Sequence, residues 1–355
     1  MNARAVYIAL VVFLSTGNLH SQPEGYYAPA EGLTGAELKQ ALHELIDDHA
    51  VAGYAELWDH FYHTDRRSDG TIWDMYSDNP DGENPYVYEF GTDQCGNYAG
   101  EGDCYNREHS FPKNWFGGDV EPMYTDLFHI YPTDGYVNNR RSNHPYGETE
   151  HPSWTSLNGS RVGASSVEGY TGTVFEPVDA YKGDLARTYF YMAVRYYTED
   201  STWPGSDMTS GAEPLPWALD MLLEWHHNDP VSEKETARNE AVYEIQGNRN
   251  PFIDRPEWVE AVWDVSGGTG SASDHPGTVF LYPNPTAGAV SFSLPVRVEK
   301  EGVLRIYRLT GVLLHEEPLA VRSSRRCDFS FLTPGLYILE IRTPHGTFRG
   351  KLVIK

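Results

Sequence analysis

Two stretches decide how this chain is read: Cys104-Tyr105-Asn106-Arg107-Glu108-His109-Ser110-Phe111-Pro112, and the run from Asp126 to Asn143, DLFHIYPTDGYVNNRRSN. The first sets a carboxylate beside an imidazole with a guanidinium ahead of them. The second adds His129, Asp126, the amides Asn138 and Asn139, and the cations Arg140 and Arg141. A hard divalent cation such as Mg²⁺ takes oxygen ligands, so Glu108 with an asparagine such as Asn138 offers a partial shell, to be completed by water and phosphate. An imidazole titrating near pH ~6.5 removes a proton from water at neutral pH, which points to His109. Guanidinium groups brace negative charge building on phosphoryl oxygens, and Arg107, Arg140 and Arg141 are at hand. Taken together, the ingredients suit metal-assisted hydrolysis of a phosphodiester. Neighbours on a regular strand face opposite ways, so Glu108 and His109 can serve one site only where the strand twists or ends.

Outward from this core, a helix is expected over residues 32–50, with Thr34 as N-cap, Glu37 three residues on, and Leu38, Leu42, Leu45 and Ile46 at helical spacing. Further helices are expected at 182–197, 214–228 and 232–243. Cys95 and Cys104 enclose a glycine-containing loop that an oxidising compartment can close as a disulfide, leaving Cys327 over.

The ends read as address labels. Arg4 followed by the apolar Ala5 to Leu14 forms a secretory signal over residues 1–21, too short to span a bilayer, with cleavage expected near Ser21. No later segment is apolar enough to be an integral membrane span. Residues 266–277, SGGTGSASDHPG, have linker composition. Beyond them, over 278–355, short alternating runs separated by Gly and Pro predict a small antiparallel β-sandwich. The fold class is therefore α+β: a mostly helical and irregular domain over 22–265, then the sandwich.

The string CYNREHSFPKNWFGG, followed by DLFHIYPTDGYVNNRRSNHPYGE, resembles the endonuclease I family, secreted or periplasmic nucleases with a ββα-metal active site. The later segments around Phe175-Glu176-Pro177, Lys182 to Arg187 and Gln246 to Asp254 are similar too. The resemblance implies that His109 is the general base and that Glu108 and Asn138 hold Mg²⁺, with Ca²⁺ or Mn²⁺ as substitutes. It also implies a helix starting near Val137, low sequence preference, 5′-phosphate ends, and DNA as substrate with RNA as a second polymer. Where many relatives have His-His, this chain has Phe128-His129, so His129 and Asp126 are expected to support the site from behind. Arg107, Arg141 and Arg187 are the candidates for gripping phosphate. The tail, with Leu281 to Pro285, Gly311, Pro334 to Tyr337 and the closing KLVIK, resembles the sorting domain of type IX secretion cargo. That implies recognition by the type IX machinery and an enzyme either released or attached at the outer surface; a monomer is expected. The alternative reading is a non-catalytic surface adhesin or glycan binder, motivated by 24 Tyr, 9 Trp and the sandwich.

Charge narrows the partners. The net charge of −24 divides into −29 over residues 1–276 and +5 over 277–355, which excludes a uniformly basic nucleic-acid coat. Any polyanionic substrate must be held by local chemistry.

Overall fold

The computed structural model describes residues 22–80, 82–263, 277–282, 286, 288–293, 302–319, 324–343 and 346–355. The signal over 1–21 and the linker, apart from Gly277, lie outside these residues.

At the centre of the catalytic domain is a hairpin and a helix. Strand β1 (Tyr105–His109) pairs antiparallel with β2 (Ile130–Asp134), setting Glu108 opposite Tyr131 and His109 opposite Ile130. Helix α3 (Gly135–Arg141) follows without a loop. It starts two residues earlier than the expected Val137 because Asp134 caps it: the carboxylate accepts the backbone N–H of Val137 at 2.7 Å. The Cys95–Cys104 disulfide lies against this corner, its Cα atoms 4.9 Å apart. A Cβ on Gly135 would come within 2.4 Å of the Cys95 sulfur, so the close approach requires glycine there.

The helices surround this unit. Helix α1 (Gly35–Ile46) buries Leu38, Leu42 and Ile46 as its spacing predicts. Thr34 occupies the N-cap position but makes no capping bond, and the chain enters through Gly35 in the left-handed region, φ 56°. Helix α2 (Leu57–Thr64) buries Leu57 and Phe61. The central helix α4 (Lys182–Arg195) is buried on nearly every face and packs against α1 and against α5 (Pro216–Asn228). Helix α6 (Glu233–Gln246) begins with a full capping box between Ser232 and Glu235 and stops at left-handed Gly247. An antiparallel sheet of β3 (His151–Thr155), β4 (Arg161–Ala164) and β5 (Thr173–Glu176) lies beyond α3 in sequence.

The tail builds two sheets around one core in which Val290 and Phe292 of the smaller meet Leu304, Ile306, Leu339 and Ile341 of the larger. Its pairings are antiparallel except that Gly277–Thr278 runs parallel to Phe348–Arg349 and Thr286 forms a parallel bridge with Ile354. Strand Ser324–Asp328, which lacks a clean apolar alternation, pairs with Ala289–Ser293. Among the described residues no helix is long and apolar enough to cross a membrane.

Candidate functional site

Glu108 and His109 occupy the last two positions of β1, and what surrounds each side chain differs. Glu108 is 2% exposed. Its Oε1 accepts the Tyr76 hydroxyl at 2.9 Å and lies 3.2 Å from Nη1 of Arg141. Tyr76 is in turn bonded to the Tyr146 hydroxyl at 2.7 Å. Burial pushes the Glu108 carboxyl up to about 7, with Arg141 and Tyr76 opposing that rise. The other oxygen, Oε2, makes no hydrogen bond among the described residues.

Imidazole and phenol rings surround His109. Its ring stacks on Tyr124 at 5.4 Å between centroids and more loosely on Tyr54 at 6.2 Å. Nε2 lies 3.0 Å from the backbone carbonyl of Tyr124. A carbonyl only accepts, so this contact assigns the proton to Nε2 and leaves the lone pair on Nδ1. Burial lowers the His109 pKa to about 3, with His129, Lys113 and Arg107 acting in the same direction against the Tyr124 carbonyl. The ring is therefore neutral, with its Nδ1 lone pair free of the Tyr124 carbonyl.

Helix α3 brings Asn138 to the same strand: its Nδ2 points to the carbonyl of Arg107 at 3.5 Å. With the amide N–H turned to the backbone, Oδ1 is the free acceptor. Glu108 Oε2 and Asn138 Oδ1 are thus two oxygens on adjoining elements without a hydrogen-bond donor among the described residues, the type of ligand that a hard cation takes. Among the described residues no group of three or more His, Cys, Asp or Glu is placed to hold a metal.

The supporting residues occupy the layer behind the hairpin. His129 Nε2 lies 2.6 Å from the Met123 carbonyl, while its own carbonyl accepts both the N–H and hydroxyl of Ser110. Its ring is 5.6 Å from that of His109, and its Nδ1 is buried without a partner. Asp126 is fully buried, accepting from Tyr191, Tyr196, Gln246 and the Phe128 N–H. Burial pushes Asp126 up, but His49, His129 and these hydrogen bonds outweigh it and hold the carboxyl at about 2. The segment 126–129 is so fixed to α4 and α6.

The arginines separate. Arg141 is 1% exposed and donates to the carbonyls of His109 (3.0 Å) and Ser110 (2.6 Å) as well as facing Glu108. It braces the end of β1 from inside. Arg187 is removed from the phosphate candidates: it is wholly buried, with its guanidinium spent on Glu235, His226 and the Asp229 carbonyl. Arg107 donates to the Tyr54 carbonyl at 2.9 Å and lies over the rings of Tyr54 and Trp58. Arg140, exposed on α3, lies 5.1 Å over Trp154. The sequence motifs assign no role to Tyr76, Tyr124 or Tyr146. Tyr76 and Tyr124 come from segments with no telling spacing, and Tyr146 follows Asn143 as an ordinary aromatic.

A family model described as Endonuclease I matches residues 34–257, and a second, described as a secretion system C-terminal sorting domain, matches residues 280–355. An extracellular ribonuclease of Bacillus subtilis (strain 168) is 35% identical over 253 residues, 69% of this chain and 80% of that protein. The extracellular ribonuclease of Bacillus amyloliquefaciens is 35% identical over 250 residues, covering 68% and 78% respectively. A periplasmic deoxyribonuclease of Aeromonas hydrophila is 25% identical over 172 residues, 48% of this chain and 60% of that one.

Proposed function

The chain belongs to the endonuclease I family and is a secreted nuclease addressed by a type IX sorting tail, and on that premise we propose that it cleaves DNA and RNA as a Mg²⁺-dependent endonuclease of low sequence preference. The observation that carries this reading is the tie between α3 and β1. Asn138 turns its amide N–H to the carbonyl of Arg107, which puts a free amide oxygen beside the strand that ends in Glu108 and His109. Glu108 Oε2 and Asn138 Oδ1 would hold the cation. Such a cation, when bound, offsets charge on the phosphate and on the leaving oxygen.

The remaining steps belong to the chain itself. Nδ1 of His109 takes a proton from water as the water oxygen bonds to phosphorus. Tyr124 keeps the imidazole in the required tautomer through its carbonyl. The P–O3′ bond breaks, and the 3′ oxygen gains a proton from solvent, leaving 3′-hydroxyl and 5′-phosphate ends. Arg141 acts by holding the carbonyls of His109 and Ser110 and the Glu108 carboxylate in register. Relatives named as ribonucleases and as a deoxyribonuclease support both polymers as substrates.

The test is incubation of supercoiled plasmid and of a structured RNA with the full chain in Mg²⁺, with parallel lanes containing EDTA. Loss of both polymers in Mg²⁺ alone is expected. Undegraded polymer in every lane, or equal cleavage in EDTA, overturns the proposal.

A further inference from the structure

Among the described residues of the catalytic domain, every Lys and Arg is ion-paired to a carboxylate except Arg66, Arg107 and Arg140. In so acidic a chain this is a selective omission, and two of the three share one surface. The guanidinium of Arg107 lies 3.7 Å over Tyr54 and 4.3 Å over Trp58, and that of Arg66 lies 4.5 Å over Tyr62. Trp58 and Tyr62, four residues apart on α2, share one face, and the guanidinium of Arg107 over both Tyr54 and Trp58 and that of Arg66 over Tyr62 extend it at either end into a stripe. Leu57 and Phe61 are the buried face of α2 at 0% exposure; Tyr54 and Trp58 are half-buried at the inner end of the stripe, and its outer end, Tyr62, is 44% exposed. Its inner end touches the site. Tyr54 stacks on Tyr124 at 4.4 Å, and Tyr124 stacks on His109.

We infer that this stripe is a track for a single-stranded polynucleotide, carrying the nucleotides next to the scissile bond outward from His109. The inference rests on the nuclease reading above. The exposed Tyr62 ring and the Arg66 guanidinium plane beside it offer stacking partners to unpaired bases, which a duplex keeps stacked inside, while guanidinium groups with no carboxylate partner neutralise backbone phosphates. Glu56 and Asp59 are exposed on the same helix, so long-range attraction is poor and stacking must supply much of the grip. That combination favours a strand with exposed bases over any generic polyanion.

The test uses the full chain in EDTA, where no cleavage is expected, with 5′-labelled oligothymidylate, oligouridylate and a hairpin duplex followed by fluorescence anisotropy. Single strands of either sugar are expected to bind more tightly than the duplex. Tyr62→Ala and Arg66→Ala, both at exposed positions, are each expected to weaken single-strand binding roughly tenfold. Leu157→Ala, an exposed apolar residue outside the stripe, serves as the control and should bind as the wild type does. Melting curves identify any variant that fails to fold, and Tyr62→Phe, which keeps the ring, should restore binding. Duplex bound as tightly as single strands, or single-strand binding unchanged in both variants, overturns the track. If the track binds but the Mg²⁺ assay shows no cleavage, the nuclease reading fails and the track stands. Cleavage without single-strand binding refutes the track and leaves the nuclease reading intact.

Discussion

His109 and Tyr124 are joined twice: the imidazole stacks on the phenol ring at 5.4 Å, and its Nε2 meets the Tyr124 backbone carbonyl at 3.0 Å. One residue thereby fixes both the plane and the tautomer of the imidazole. Replacing His109 by Ala removes the proton acceptor without touching Arg141, which grips only the backbone there. Cleavage by His109→Ala should fall by roughly 10² to 10⁴-fold, as for loss of a general base, with the melting temperature nearly unchanged. Plasmid nicking at the wild-type rate would remove His109 from the mechanism.

Metal demand should depend on pH through Glu108. Burial raises its carboxyl to about 7, so the empty site ionises only as pH rises through that value. A cation binds the ionised form, and protons compete with it below neutrality. The Mg²⁺ concentration for half-maximal cleavage should therefore be clearly higher at pH 5.5 than at pH 8. His109, lowered to about 3, stays neutral across that span and does not itself impose the change. Equal half-saturation at the two pH values would contradict the role given to Glu108. Glu108→Ala and Asn138→Ala should both shift the Mg²⁺ titration to higher concentration.

Asp126 predicts an acid-sensitive fold. Its folded carboxyl lies at about 2, below the ordinary value of 3.8. The stabilisation is thus complete above about pH 4 and disappears as pH falls towards 2. Integrated over that shift it amounts to ~2 kcal/mol. Asp126→Asn should lower the urea midpoint at pH 7 and do so by a clearly smaller margin at pH 2.5, where only about a third of that stabilisation remains. A gap between the two proteins that is the same at both pH values would refute the linkage.

Gly135→Ala tests the corner behind the site. The added methyl would collide with the Cys95 sulfur at 2.4 Å and the Tyr98 ring at 3.0 Å, in a place closed by the disulfide. Overpacking of this sort costs about 1 to 3 kcal/mol, so thermal melting should drop by several degrees. A melting temperature equal to wild type would show that the corner has room.

Much of the candidate site is legible because its parts are local. Glu108 and His109 are adjacent, and Asn138 lies in the next motif along the chain, so residue chemistry and order alone bring them forward. Arg141, a phosphate candidate from the sequence, is buried and turned to backbone carbonyls; composition sees a cation and not its direction. Three residues after Asn138, it shares that residue's helix face and is turned inward to β1. Tyr76 and Tyr124 were invisible for another reason. Tyr76 reaches Glu108 across 32 residues, and Tyr124 acts through a carbonyl that every residue possesses. The tail was readable from its turns, though not the strand Ser324–Asp328, whose charged run Arg325-Arg326 hides its partnership with Ala289–Ser293.

End-group analysis of a Mg²⁺ digest tests the central claim most directly, since it reads activity and the direction of bond breakage together. Digestion of a labelled DNA by the full chain should give fragments that carry 5′-phosphate and 3′-hydroxyl ends, with no fragments in EDTA. Fragments ending in 3′-phosphate would contradict expulsion of the 3′ oxygen, and fragments formed equally in EDTA would contradict a cation held by Glu108 and Asn138.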